Sequence, residues 1–329
     1  MQSLNKKIRF KTDQQMIVLL TSLIIFVIFS FTLSNFFSAG NLIAMMRSIA
    51  VLAILGLGMA IVVIGRGIDL SMVALMAVPT ALVMTLVESG VGLALSIMVG
   101  VAFAIVVGVI NGVLVAYAEI PALFVTLAMG LVLAGLGQVG ILKADMVSWP
   151  EGMDPVRWIG GSNVFGVPSS VLVAAAMFLF VNWLLRKTKI GRFIYSVGDN
   201  PNTARTTGIF VRPIMVLQYV LAALIAVLAG LVMASSNNLM DTRIYNLSLI
   251  YDIILVVVLG GVGLSGGRGG VWSVLVGTLL VGIVFNGMTI MNFPLDIQDL
   301  FKGIILLIAV IVDSFLNPRN EETGQQGDI

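Results

Sequence analysis

The stretch "LVVVLGGVGLSGGRGG", residues 255–270, decides how the rest of the chain is read. A β-branched apolar run leads into Gly261-Val262-Gly263-Leu264-Ser265-Gly266, which satisfies the G-x-G-x-x-G spacing of a dinucleotide-binding turn. That reading needs a soluble strand–turn–helix unit and an acidic residue about twenty positions further on to hold a ribose. The residue at that distance is Asn286, inside another apolar run. The same glycines read instead as a tight turn with close contact between two membrane helices. Gly260, Gly261, Gly263, Gly266 and Gly267 are then the hinge of that turn, and Arg268 holds it on the cytoplasmic side.

Composition decides between the two. Hydrophobic residues make up 59% of the 329 and charged residues 10%, against about a quarter charged in soluble domains. So little charge cannot cover a soluble surface of this size, and the chain reads as an all-α integral membrane protein. It has no cysteine and no histidine. Disulfides, thiolate metal sites and the commonest neutral-pH base are thereby excluded. No nucleophile–base set or metal cluster is recognisable, so the chain is not read as an enzyme.

Ten apolar runs have the length of a bilayer-spanning helix, near 16–37, 42–64, 68–88, 91–117, 120–142, 169–186, 213–235, 249–263, 271–290 and 298–316. The eighth is short and ends in glycine, which suits a broken helix. With the N-terminus inside, ten crossings return the C-terminus inside. The inner side then receives Lys6, Lys7, Arg9, Lys11, Arg66, Arg186, Lys187, Lys189, Arg192, Arg205, Arg212, Arg268 and Arg319. The outer side receives Lys143, Arg157 and Arg243. That imbalance is the positive-inside pattern. The chain divides into an inner N-terminal segment (1–15), a membrane domain (16–316) and an inner tail (317–329). The basic N-terminus resembles a signal peptide, but its apolar part is long and a second span follows, so it reads as a retained helix.

Two loops have the length to do work, the outer 143–169 and the inner 186–212. A faint repeat also relates 108–130 to 282–303: each carries Asn-Gly, then Pro, then Gly, as Asn111, Pro121, Gly130 and Asn286, Pro294, Gly303. Repeated halves are common in transporters.

Four stretches carry a resemblance when taken together: "GIDLSMVALMA" (67–77), "GVINGVLVAYAEIPALFVTLAMG" (108–130), "GRFIYSVGDNPNTARTTGI" (191–209) and "YDIILVVVLGGVGLSGGRGG" (251–270). In this order and spacing the chain resembles the permease subunits of ribose/xylose/arabinose-type ABC importers, from about residue 40 to 312. It departs from the family at Arg66, Val73, Ala74 and Ile250-Tyr251-Asp252-Ile253, in stretches close to the expected pathway. The resemblance implies a second permease copy or paralogue, ATPase subunits on the cytoplasmic face, and a periplasmic solute-binding protein that delivers a monosaccharide or small polyol. ATP and magnesium would reside on the ATPase subunits, because this chain has no Gly-x-x-x-x-Gly-Lys-Ser/Thr loop.

The pathway candidates are Asp69, Ser71, Asn111, Asp252, Asn286, Gln298 and Lys302. Asp69 reads either as a helix cap or as the organiser of a broken helix beside the path. Asn111 and Asn286 read as interhelical hydrogen-bonding groups before sugar contacts. Gln298 and Lys302 lie one helical turn apart and suit a hydrated cavity, while Arg47 reads as a snorkelling cation. Gly191, Arg192, Gly198, Asn200, Ala204, Arg205 and Gly208 match the pattern of the loop that couples to the ATPase. Asp154, Arg157, Asp241 and Arg243 are candidates for docking the binding protein, with ordinary solvated loop charge as the rival reading. A secondary active transporter with repeated halves is the alternative for the whole chain. It is weakened by the absence of histidine and the scarcity of intramembrane acids.

Overall fold

The computed structural model describes residues 14–141, 145–246 and 248–316. The expected segments 1–15 and 317–329 and the outer Lys143 therefore fall wholly or largely outside the described residues. Thirteen helices follow in order: α1 (Gln14–Thr32), α2 (Ala39–Ile64), α3 (Met72–Glu88), α4 (Leu93–Ala116), α5 (Ala122–Gly135), α6 (Trp158–Gly161), α7 (Ser169–Lys187), α8 (Lys189–Asp199), α9 (Pro201–Thr206), α10 (Val211–Asn237), α11 (Leu249–Leu259), α12 (Val271–Ile290) and α13 (Leu295–Leu316). A π-helical turn, Leu136–Ile141, extends α5.

Each of the ten expected segments contains a helix. Among the described residues, seven helices are long and apolar enough to cross a membrane. The others depart for separate reasons. Helices α3 and α11 are shorter, because the chain reverses in irregular backbone at 65–71 and 260–270. Helix α13 has 22 residues but carries Asp296, Asp299, Lys302 and Asp313.

Burial sorts the helices into a centre and a rim. The apolar window of α2 is 83% buried against 11% for α1, so α2 is the central post and α1 lies on the lipid side. Helix α3 is buried without interruption from Met72 to Ala81. Helix α4 packs closely on α10. Gly100, Ala104, Gly108 and Gly112 form a small-residue stripe at four-residue spacing along α4. A Cβ on Gly108 would meet the Tyr219 carbonyl oxygen and the Val220 Cα at 2.9 Å, so the two helix backbones touch. The opposite face of α4, with Met98, Val106 and Ile110, is exposed and apolar. In a bilayer that face meets lipid.

The two ends of the bundle differ. At one, α8 packs under the end of α2 and the 260–270 turn, and α9 packs on α8 and the start of α10. At the other, strand β1 (Met146–Ser148) pairs antiparallel with β4 (Leu239–Asp241), and β2 (Asn163–Val164) forms a small hairpin with β3 (Val167–Pro168). These two-stranded ribbons are the described sheets. The glycine turn is therefore flanked by helices, and the described residues hold no parallel sheet for a dinucleotide fold.

Candidate functional site

The backbone between α2 and α3 cannot continue as a helix, because Arg66 sits at φ 70° and residues 67–69 are extended or irregular. This places Asp69 inside the bundle, fully buried. One carboxylate oxygen accepts from the Ser71 amide at 2.9 Å and the Ser71 hydroxyl at 2.5 Å. Asn111 of α4 donates to the same hydroxyl at 3.0 Å. Thr126 of α5 accepts from the Leu70 amide at 3.0 Å. Asp69, Ser71 and Asn111 are thus one connected node that ties the broken entry of α3 to α4 and α5. The other Asp69 oxygen, the Asn111 carbonyl oxygen, the Tyr219 hydroxyl and the Gln218 amide nitrogen are buried without a partner. So many unmet polar groups are costly in one static arrangement.

Asp252 and Lys302 meet across α11 and α13. The Lys302 ammonium lies 3.1 Å from each carboxylate oxygen, donates to Ser248 Oγ at 2.7 Å, and sits 5.1 Å from the Phe285 ring centroid. Asp299, on the same helix, stands 3.3 Å away. Gln298 does not join this group; its amide donates to the Phe293 carbonyl at 3.0 Å and closes the turn that begins α13. Asn286 is separate again. It exchanges two 3.0 Å hydrogen bonds with Asn41 and so joins α12 to the start of α2. The seven pathway candidates therefore fall into four groups: Asp69, Ser71 and Asn111 together, Asp252 with Lys302, and Gln298 and Asn286 each apart.

The coupling candidates lie together at the α8–α9 end of the bundle. Thr188 caps α8 by accepting from the Gly191 amide at 3.1 Å, and Asn200 caps α9 by accepting from Asn202 and Thr203 at 3.0 Å each. Helix α8 is amphipathic, with Gly191, Ile194, Val197 and Gly198 buried and Arg192 exposed. Its buried face rests on the glycine turn. A Cβ on Gly198 would overlap the Ile64 carbonyl oxygen and approach the Gly267 nitrogen, and Gly267 itself donates to Ile64 at 2.7 Å. Tyr195 donates to the Gly269 carbonyl at 2.8 Å. Burial pushes the Tyr195 hydroxyl above its usual pKa, against the opposing pull of Arg186. Gly261, Gly266 and Gly267 have φ of 94°, 83° and 69°, conformations that L side chains rarely adopt. Gly260 faces the Ser273 carbonyl of α12, where a side chain would not fit. The turn is also held by α13, where Asp313 accepts from the Leu264 amide at 3.3 Å. Ala204 is buried, Arg205 is exposed, and Gly208 ends α9 at φ 84°.

At the β-ribbon end the four charges form two groups. Arg157 pairs with Asp154 at 3.7 Å and donates to Asn238 at 2.6 Å. Arg243 pairs with Asp145 at 3.4 Å and Asp241 at 3.7 Å. Arg157 and Asp154 balance each other, whereas Arg243 faces two carboxylates. Among the described residues, no group of three or more metal-ligating side chains is placed to hold an ion.

Several partners escaped the sequence reading: Thr126, Gln218 and Tyr219 at the buried node, Asn41 opposite Asn286, Ser248 beside Lys302, and Tyr195 on the turn. The adjacent Gln218 and Tyr219 were a usable signal, as polar groups inside an apolar α10. The others are set by tertiary contact and carry no local pattern.

The family model described as the branched-chain amino acid transport system permease component matches residues 41–310. The ribose import permease protein RbsC of Escherichia coli is 32% identical over 298 residues, which cover 90% of this chain and 92% of that protein. Its counterpart of the same name in Bacillus subtilis is 35% identical over 326 residues, 95% and 97% of the two chains. The L-arabinose ABC transporter permease protein AraH of Azospirillum brasilense is 32% identical over 299 residues, 91% and 87%. No solved structure matches the chain.

Proposed function

The chain belongs to the family of branched-chain amino acid transport system permease components, and on that premise we propose that it forms the membrane path of an ATP-driven importer for a monosaccharide or related small polyol. It is a multi-pass protein of the bacterial cytoplasmic membrane and is itself non-catalytic. The solute class rests on the ribose and L-arabinose permeases among its relatives.

In this reading ten segments cross the bilayer, and both termini are cytoplasmic. The α8–α9 end faces the cytoplasm, in keeping with Arg66, Arg186, Lys187, Lys189, Arg192, Arg205, Arg212 and Arg268 in its connections. ATP and magnesium belong to ATPase subunits docked there, and a second permease chain completes the path. The β-ribbon end receives a solute-binding protein. The observation that carries the proposal is α8 seated on the 260–270 turn. A push on α8 reaches Ile64 of α2 directly and α11, α12 and α13 through the glycines. This is rigid-body coupling, and the chain performs no chemistry.

The buried node at Asp69 lies just beyond the inner end of α2. Its unmet polar groups suit a gate that gains partners in a second arrangement of the helices. The test is co-purification of the chain with its ATPase and binding protein, followed by a sugar panel on the binding protein's thermal stability. Stabilisation by one pentose or hexose, together with a stable complex, is expected. A binding protein stabilised by leucine or isoleucine would overturn the solute class while leaving the family intact.

A further inference from the structure

A long apolar groove runs along the outside of the bundle between α1, α2, α7 and α12, with a volume of about 620 Å³. Its walls include Phe26, Met46, Ala50, Ala174, Phe178 and Ile283, and only Ser22 among its lining residues has a polar side chain. That size lies in the range of roughly 300–1,000 Å³ typical of small-molecule sites. An empty apolar groove on a membrane-embedded face exposes nothing that water could satisfy, so its natural occupant is a hydrocarbon chain.

The end of the groove nearer the β-ribbons is chemically different. Arg47 follows the groove residue Met46 on α2. Its guanidinium donates to the Asn163 amide oxygen at 3.3 Å, and its buried Nε has no partner. Among the described residues, no carboxylate forms an ion pair with it. Across from it, α7 begins without a side-chain cap; the Ser169 amide donates to the Ser162 carbonyl at 2.9 Å, and the amides that follow, with the helix dipole, favour an anion. Ser170, in the first turn of α7, is fully buried with an unpartnered hydroxyl. Ser170 lies one turn before the groove residue Ala174 and directly before the groove residue Val171. Arg47 and the start of α7 therefore adjoin the hydrocarbon slot through their neighbours Met46 and Val171.

We propose that this groove binds one glycerophospholipid, with its phosphodiester at Arg47 and the α7 N-terminus and an acyl chain along α2 and α7. The site lies outside the transport path and does not depend on the solute reading. A bound lipid would join α7, which leads directly into α8, to the central α2.

The test is native mass spectrometry of the purified chain in non-ionic detergent, titrated with phosphatidylglycerol. One retained lipid per chain is expected. Arg47→Gln should weaken retention by roughly tenfold or more, as for loss of a charge-assisted contact to phosphate. Arg47→Lys should stay within about threefold of the wild type, because it keeps the charge. Ala174→Phe, which fills the groove, should abolish retention. Arg243→Gln, an exposed charge at the same end, should retain the lipid. Independently of any variant, phosphatidylglycerol should raise the wild-type Tm in a concentration-dependent way. Equal retention by the wild type and both Arg47→Gln and Ala174→Phe would overturn the site. So would a wild-type chain that neither retains nor responds to the lipid. A groove-filling variant that shifts the chain from dimer to monomer, with no lipid bound to the wild type, would assign the groove to a second copy instead.

Discussion

Tyr195 of α8 donates its hydroxyl to the Gly269 carbonyl at 2.8 Å, so the helix expected to meet the ATPase is bonded to the turn that ends α11 and begins α12. Tyr195→Phe removes this bond and leaves the carbonyl short of a partner, at a cost of about 1–3 kcal/mol. The folded-state pKa of this hydroxyl is raised by burial, so its neutral form is favoured. Its contribution is therefore fully present below the unfolded value near 10, and is lost as pH rises through the higher folded value. The stability difference between wild type and Tyr195→Phe should be flat from about pH 6 to 9 and shrink only in stronger base. A difference that varies across neutral pH would contradict this.

Gly198 faces the Ile64 carbonyl with no room for a Cβ. Gly198→Ala should force α8 away from α2 and cost about 1–3 kcal/mol. In the assembled importer it should lower solute-stimulated ATPase activity. Gly303→Ala is the control, since nothing lies within 4 Å of a Cβ there. Stimulation unchanged in Gly198→Ala would argue against transmission through this contact.

Gly208 differs from Gly198. A Cβ would meet nothing within 4 Å, but φ is 84°. Gly208→Val should strain the end of α9 by about 1–2 kcal/mol or more, whereas Gly208→Asn should be tolerated. The valine variant should remain folded yet uncouple ATP hydrolysis from uptake, read as ATPase turnover per solute transported. Normal uptake by Gly208→Val would remove this loop from the coupling route.

Lys302 and Asp252 form a largely buried pair. Lys302→Met strands the carboxylate and should destabilise by about 3–5 kcal/mol. The double variant Lys302→Met with Asp252→Asn should recover much of that, as a double-mutant cycle would read. If the two single losses simply add, the pair is not coupled as its geometry requires.

Asn286 and Asn41 exchange both amide bonds. Asn286→Leu should lower stability by about 0.6–2 kcal/mol and leave the apparent KM for the solute unchanged. A raised KM with unaltered Tm would place Asn286 on the path instead.

The helices were legible because a bilayer demands long apolar runs, and those runs are local features. The candidates of the 186–212 loop also emerged as a group, since Gly191, Gly198, Asn200 and Gly208 are close in sequence and serve local capping and turn geometry. The pathway candidates did not emerge as a group. Ser71 is joined to Asn111, Asp252 to Lys302 and Asn286 to Asn41 by contacts across 40 to 245 residues, and no periodicity encodes such pairings. Gln298 shows the converse: it matched a pathway pattern, yet its amide closes the backbone turn at Phe293. The repeat fared similarly, for Asn111 and Asn286 occupy matching places in sequence but bond to unrelated partners.

The most direct test of the central claim is solute uptake into proteoliposomes holding the chain, its ATPase and its binding protein. Uptake should require ATP on the ATPase side and the binding protein on the other, and persist when ionophores abolish the proton and sodium gradients. Uptake by the chain alone that collapses with those gradients would contradict the account and identify a secondary transporter.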